Sequence, residues 1–524
     1  MSRFPRVRPV GDQAATLELG DAIDAEVNRR VQGLDRALAA NPFPGFREAV
    51  PTYRSLLVVY DRNRIDFGGV SEALLRLEPL PEDPSCARPV IVVPTCYGGD
   101  HGPDLDSVAA QLDLRPAELI ERHTAGEYIA YMLGFLPGFA YLGLLPKELE
   151  TPRRASPRPR VPAGSIGIAA RQTGVYPTTC PGGWNLIGRT SVRLFTVGSD
   201  PPALILPGDR VRFTAVKKLP SLATAPAPLP PASAVIEVLE PGLLTTVQDV
   251  GRFGQRRLGV GWTGAADAAA LAAANQAVGN AAGAAALECT LTGPSLRFLG
   301  SVRFAIAGAD LNPVLERPDL GLWPVPAGAS VLGRAGNVLR FTERRSGCRA
   351  YVAFAGGLDV PLVMGSRATD LAAGLGGFGG RGLAAGDLLG VGLRVGEPAV
   401  APSAAATSEA RVRVVLGPQD DFFSRATIER FLDATWQVAP TSDRIGCRLT
   451  GPPVKPEAQT EIVSDGMLPG SIQVPPNGEP IVMLADAPTT GGYPKIATVV
   501  AADLRKLAQL VPGAGAIRFE TIEP

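Results

Sequence analysis

A mainly β protein with α+β parts, opened by a small α/β domain, is predicted from three observations. Glycine and proline are abundant, 60 and 50 in 524 residues, while aromatic residues make up only 6%. That mix suits many short strands joined by tight turns. Short apolar runs recur between those turns, and one ordered set of turn motifs occurs twice, far apart in the chain.

The elements follow in order. Residues 21–40 place Ile23, Val27, Val31, Leu34 and Leu38 on one helical face. SLLVVY at 55–60 reads as a buried strand, and 90–93 as another. Residues 104–123 contain a second helix, with apolar contacts at 112–114 and 119–120. From Leu133 the chain turns Gly- and Pro-rich, which argues for β structure. Residues 217–233 (KKLPSLATAPAPLPPAS) carry five prolines and read as an extended linker. The stretch 396–410 is similar but looser. Beyond the first linker, strands are expected at 235–239, 302–306, 351–354, 412–416 and 481–484. One clear helix interrupts them, capped by Asp267 and ended by Gly279 and Asn280. The expected domains are 1–85 (α/β), 86–216 (first β lobe), the linker 217–233, and a second lobe 234–524 in two halves, 234–395 and 411–524.

Composition excludes several classes. Lys plus Arg and Asp plus Glu are 51 each, so no net charge draws the chain to nucleic acid or an anionic membrane. No unbroken apolar run is long enough to cross a bilayer, and the N-terminus lacks a signal-peptide core. Six cysteines without a C-x-x-C pair suit a reducing, cytoplasmic setting. Two histidines make a His-rich zinc site improbable, and no metal ligands are expected. The sequence has no P-loop, no Rossmann fingerprint after a strand and no G-x-S-x-G elbow.

The internal repeat carries the most information. PAGSIGI at 162–168 matches PGSIQV at 469–474; GGWNLI at 182–187 matches GGYPKI at 491–496. LPG at 206–208 and RVRF at 210–213 match VPG at 511–513 and AIRF at 516–519. Gly182, Gly183, Gly491 and Gly492 let backbone approach a neighbour closely, under Trp184 and Tyr493. The copies are unequal: Lys495 falls opposite Leu186, and Arg189 opposite Thr498.

Three apolar runs end in a carboxylate, at Asp310, Asp359 and Asp486. Such a carboxylate can act in a cleft, or simply close an Asx turn. Asp486 stands out because Tyr493 and Lys495 follow in one Gly-rich loop; together they can polarise a carbonyl or phosphoryl group and are the catalytic candidates. On the helix after Asp267, Asn275 lies on the apolar stripe, where it either holds a loop or meets a polar ligand. The substrate-binding candidates are Asn275, Asp267, Gln473, Trp184 and His123, though a lone histidine on a helix face is more often structural.

The long motifs GFLPGFAYLGLLP (134–146), PR-x-x-x-PR-x-x-VPAGSIGIA (152–169), TGVYP and PGGWNLIGRT resemble the allophanate hydrolase subunit 1 family. GLLTTVQDVGRFG (242–254), AGGLDVP, GSRATDL, SDRIGCRL and GSIQVPPNGEPIVMLADAPTTGGYPKIATV resemble subunit 2 of the same name. The resemblance implies cyclophilin-like β-barrels, with barrel-like halves in the second lobe. It implies a subunit of a bacterial ATP-dependent 5-oxoprolinase, a hydrolase that opens the lactam of 5-oxoproline to L-glutamate with a separate lactam-utilisation subunit. ATP is then a co-substrate, with Mg left open and no bound organic cofactor. Its phosphates are expected on Arg189, Arg252, Lys495 and the four turn glycines Gly182, Gly183, Gly491 and Gly492. Other implied partners are a small amide substrate and a homo-oligomeric copy. The same region serves as the carboxyltransferase component of biotin-dependent urea carboxylase; this sequence has no A-M-K-M site, so that reading needs partner chains. A third reading, from one family branch, is a regulatory inhibitor of a histidine kinase.

Overall fold

The computed structural model describes residues 4–82, 88–154, 156–220, 233–393, 396–397, 409–457 and 461–524. The expected boundary near 85 and most of both expected linkers lie outside the described residues.

A four-stranded antiparallel sheet begins the chain, ordered Arg6–Pro9, Ala14–Glu18, Ser55–Tyr60, Phe46–Pro51. Helix Ala25–Ala40 starts where Asp24 accepts from the N–H groups of Glu26 and Val27. All six residues of Ser55–Tyr60 are buried because both faces are covered. Leu56, Val58 and Tyr60 pack with the helical side; Leu57 and Val59 pack with Leu468 and Trp262 from the second lobe. Asn28 and Gln32 donate to the Tyr131 carbonyl, tying this domain to the first barrel.

The expected helix within 104–123 is two, Leu105–Gln111 and Pro116–Ala125. Pro116 cannot donate within a continuous helix but suits the first turn of a new one.

Two closed seven-stranded barrels carry the repeat. Around the first, from Ile91–Tyr97, come Asn185–Arg189, Ser165–Ala169, Gln172–Val175, Ala140–Gly143, Tyr128–Leu133 and Arg210–Ala215, which closes parallel to the start. Around the second, from Glu409–Leu416, come Lys495–Val499, Ser471–Gln473, Ile481–Met483, Gly446–Thr450, Trp436–Val438 and Ala516–Thr521, again closing parallel. Position by position the circuits agree. Ser165 pairs with Arg189 and Ser471 with Thr498, and both ladders carry a register shift, near Leu186 and Lys495. The turn glycines Gly164 and Gly470 have φ of +79° and +99°, in the left-handed region where a side chain is strained. A Cβ there would also strike the carbonyls of Thr190 and Val499, which are equivalent positions.

The other half of the second lobe departs from the expected barrel. Between Ala234 and Gly390 the strands form a six-stranded and a five-stranded sheet over one core. Alternation along the strands explains it. Phe304, Ile306, Val352 and Phe354 face Ile236, Leu296 and Phe298 of the opposite sheet. Ala305, Ala307 and Ala353 face outward, where helix Ala268–Ala277 packs close on small side chains. Two further helices, Arg425–Asp433 and the short Leu504–Ala508, interrupt the strands of the second barrel. Among the described residues, no helix is long and apolar enough to cross a membrane.

Candidate functional site

The two Gly-Gly turns, about three hundred residues apart in sequence, reach one junction between the barrels. On the first-barrel side an aromatic cluster forms the wall. Trp184 lies 5.7 Å from Phe139 and 6.0 Å from Tyr141, edge to face, with Tyr176 and Tyr53 in the same cluster. From the second barrel, the Thr490 hydroxyl accepts the Phe135 N–H at 3.1 Å. Burial raises the Tyr141 phenol above its usual range, while the Thr490 and Ser464 hydroxyls and the Arg153 charge pull it the other way. The segment between the walls begins at Pro152: Arg154 donates its N–H to the Gly183 carbonyl at 2.9 Å, while Arg153 lies against Gly492.

Within each turn the two glycines do different work. A Cβ on Gly182 would come within 2.6 Å of the Tyr176 hydroxyl, and one on Gly491 would strike Gln473. Those two glycines answer to packing beneath them. A Cβ on Gly183 would meet nothing closer than Pro157 at 3.8 Å, and one on Gly492 nothing closer than Ser464 at 3.4 Å. The second glycine of each turn therefore leaves room for a methyl group at ordinary contact distance.

The three catalytic candidates do not converge. Lys495 is fully buried and pairs through Nζ with Asp465. The second carboxylate oxygen of Asp465 accepts from Gln419 Nε2 at 2.9 Å, and Lys495 N–H donates to Gln419 Oε1. This closed set lies behind Ser464. Asp486 faces the sandwich instead: Arg444 donates to both its oxygens at 2.9 Å. Burial pushes its carboxyl up to about 6, although Arg444 pulls the other way. Arg444 also pairs with Glu288 and donates to the Gly264 carbonyl. Glu288 takes the Tyr351 phenol at 2.7 Å as well. Burial pushes the Glu288 carboxyl up, yet Arg444 and Arg349 hold it below its usual range. Tyr493 is half-buried beside the turn.

Several other candidates belong to the framework, which corrects the sequence expectation. His123 is fully buried in the first barrel; Nδ1 meets the Tyr97 hydroxyl at 2.7 Å and Nε2 the Thr173 hydroxyl at 3.1 Å. Burial lowers its pKa to about 3, so it stays neutral. Asn275 donates to the Ala282 and Ala284 carbonyls and accepts from Asn280, so it holds a loop. Asp267 caps its helix through Ala270 N–H and takes Gln509 Nε2 at 2.9 Å. Arg252 is fully buried and forks onto the Val363 and Ala368 carbonyls and the Thr263 hydroxyl. It clamps two loops and has no accessible edge for phosphate. Gln473 lies buried under Gly491, against Met467. Arg189 is half-buried and donates Nε to the Ala163 carbonyl at 2.8 Å.

A separate cavity of about 520 Å³ opens between the N-terminal sheet, the 250–268 loop and the second barrel. Glu48 is the one carboxylate among its lining residues, and it is bonded to Trp262 Nε1. None of the candidates named from the sequence lines it.

Sequence reasoning missed Arg153, Ser464, Asp465 and the Glu288–Arg444 pair. The Pro-Arg-Arg run at 152–154, the Ser-Asp-Gly run at 464–466 and, for Arg444, the SDRIGCRL motif carried the available signal; nothing local marks Glu288, which meets Arg444 from a different domain.

Twin seven-stranded barrels with their Gly-Gly turns near one junction define a two-lobe protein built on a duplicated barrel. Residues 258–521 match the family model "Carboxyltransferase domain, subdomain A and B", and residues 5–205 match "Carboxyltransferase domain, subdomain C and D". The chain belongs to this carboxyltransferase-domain family. It is 42% identical over 224 residues to the 5-oxoprolinase B subunit of Bacillus subtilis (strain 168), covering 41% of this chain and 93% of that one. It is 41% identical over 280 residues to the 5-oxoprolinase C subunit of Escherichia coli (strain K12), covering 53% and 89%. The crystal structure of TTHA0988 superposes with a TM-score of 0.84 at 36% identity, covering 97% of this chain and all of that one. Urea amidolyase of Saccharomyces cerevisiae (strain ATCC 204508 / S288c) is 35% identical over 303 residues, 53% of this chain but only 16% of its own length.

Proposed function

We propose that this chain unites the work of two 5-oxoprolinase subunits, the B and C types, in one polypeptide. With a separate lactam-utilisation subunit, it opens the lactam of 5-oxoproline to L-glutamate at the expense of ATP, in the cytoplasm. One observation carries the reading. The B-type and C-type relatives are separate proteins, each matched along most of its length by a different part of this chain. The Gly491–Gly492 turn of the C-type part lies against Arg153 of the B-type part, and Thr490 beside it takes the Phe135 N–H. A site built at such a junction needs both parts, which gives a physical reason for two subunits to act as a pair and for fusion to be tolerated.

The junction can bind and orient a small polar ring. Aromatic rings supply its floor, the Ser464 and Thr490 hydroxyls its hydrogen bonds, and Arg153 a positive charge. The basic residues expected to hold ATP do not gather. Arg252 is committed to backbone carbonyls and Lys495 to Asp465, which leaves Arg189 as the phosphate candidate of the three.

The test is reconstitution. Purified chain, a lactam-utilisation subunit, ATP and 5-oxoproline should yield glutamate, with none when either protein or ATP is withheld. Biotin-dependent carboxylation of urea with a biotin carboxylase, without glutamate formation, would replace this reading with the carboxyltransferase one, which the similarity to urea amidolyase supports.

A further inference from the structure

The geometry points to Arg153 as the residue that recognises a carboxylate on the substrate, selecting a small lactam that carries an acid group over a neutral amide. This rests on the proposed function and names the chemical class the junction site accepts.

Three arginines follow one another closely at 153, 154 and 158, and their fates differ. Arg154 binds Asp104 at 3.0 Å, and Arg158 binds the same carboxylate through two nitrogens at 2.7 and 2.9 Å. Asp104 also accepts the Leu186 N–H, so its capacity is filled. Arg153 points the other way. It is half-buried, and among the described residues its guanidinium has no ion pair and no hydrogen bond.

Its surroundings are built for an anion that the protein does not itself provide. A methyl group placed on Gly492 would lie 3.6 Å from both terminal nitrogens of Arg153 and 3.4 Å from the Ser464 hydroxyl. Two guanidinium donors and a hydroxyl thus converge on a space the size of one small group. The phenols of Tyr53, Tyr141 and Tyr176 lie near enough for the Arg153 charge to oppose the effect of burial on them. The nearby carboxylate, Asp465, is already held by Lys495 and Gln419 and does not neutralise Arg153.

A guanidinium partly withdrawn from water and left without a counter-charge is unfavourable. A ligand carboxylate relieves that through two parallel N–H···O bonds, a geometry a lysine cannot copy. The edge-to-face cluster of Trp184, Tyr141, Phe139 and Tyr176 is buried behind it, leaving a narrow edge of Trp184 and Tyr141, 6% and 7% exposed, for a small ring to rest on. An acid group at one end and a ring at the other match 5-oxoproline. Urea, which has neither, gains nothing from Arg153.

The experiment compares wild type, Arg153→Met and Arg153→Lys as full-length chains. Binding of 5-oxoproline and of 2-pyrrolidinone, the same lactam without its acid, is followed by ligand-observed NMR and calorimetry. Arg153→Met should weaken 5-oxoproline binding about tenfold to a hundredfold, the usual reach of hydrogen bonds to a charged group. It should leave 2-pyrrolidinone binding and the thermal midpoint unchanged. Arg153→Lys should fall between, and in the reconstituted reaction KM should rise more than kcat falls. If wild type turns over 5-oxoproline and Arg153→Met keeps its KM, Arg153 is not the anchor and the proposed function stands. If both ligands weaken equally, the residue shapes the site without reading the acid, and the inference fails. If wild type neither binds nor turns over 5-oxoproline, the proposed function fails and this inference falls with it.

Discussion

His123 makes the stability of this protein depend on pH in a way that can be calculated. The ring is fully buried, 4.6 Å from Phe213, with both nitrogens engaged, and burial lowers its pKa to about 3. In the unfolded chain a histidine has a pKa of about 6.5. Between those values the unfolded state binds a proton that the folded state refuses, so stability falls as pH drops through that window. At about pH 5.5, one unit below the unfolded value, the loss from this residue is about 1.3 kcal/mol relative to neutral pH. His123→Phe keeps a buried ring and removes the titration. It leaves the Tyr97 hydroxyl without its partner, which costs about 1–3 kcal/mol at every pH. The assay is urea unfolding at about pH 7 and about pH 5.5 for both proteins. The drop for wild type should exceed that for the variant by about 1.3 kcal/mol. Asp486, raised to about 6, works in the opposite direction, gaining stability as pH falls through about 6, but it is common to both proteins and cancels. Equal drops, or the histidine ring resonance that disappears in His123→Phe titrating near 6.5, would refute the assignment.

Three further outcomes are expected. Glu288→Ala removes one of the two carboxylates on Arg444, the counter-charge beside Arg349 and the acceptor of the Tyr351 phenol, and should cost about 3–5 kcal/mol, read as a lower thermal midpoint. Arg252→Lys keeps a charge but cannot reach the Val363 carbonyl, the Ala368 carbonyl and the Thr263 hydroxyl together; the protein should lose thermal stability while the KM for ATP in the reconstituted reaction stays unchanged. A selective rise in that KM would restore Arg252 as a phosphate ligand. Gly492→Ala meets only ordinary contacts at 3.4 and 3.6 Å, so it should fold as wild type within about 0.5 kcal/mol yet raise the KM for 5-oxoproline, whereas Gly182→Ala drives a Cβ toward the Tyr176 hydroxyl and should destabilise by about 1–3 kcal/mol.

The repeat was legible because its signal is backbone geometry. Gly164 and Gly470 are required by a positive φ and by a facing carbonyl, constraints any copy of the barrel must meet. Strands with one clear destination were legible too, such as Ser55–Tyr60, buried on both faces. The sandwich in place of a third barrel was not, because alternating Phe, Ile and Ala in Val302–Asp310 fits either architecture until the opposing surface is known. The helix Arg425–Asp433 was passed over although Ser424 caps it, since its nine residues lie between stronger strand patterns.

Polar residues were the harder problem, for a physical reason. A buried amide or guanidinium needs partners whether it serves the frame or a ligand, and the sequence shows the need without the partner. Asn275 and Arg252 look as available as any residue, yet every bond they make ends on a carbonyl, amide or hydroxyl of the chain itself. Lys495 faced Leu186 across the repeat and so looked free to specialise, but its amine had acquired Asp465 along with it. Divergence between the copies therefore marks where a barrel was rewired and does not by itself mark where it reacts. The same distinction divides each Gly-Gly turn. Gly182 and Gly491 are small because Tyr176 and Gln473 lie beneath them; Gly183 and Gly492 are small although a methyl group there would meet only ordinary contacts. A small residue that packing does not demand, beside an arginine that no carboxylate neutralises, is the combination a bound acid explains and a closed core does not.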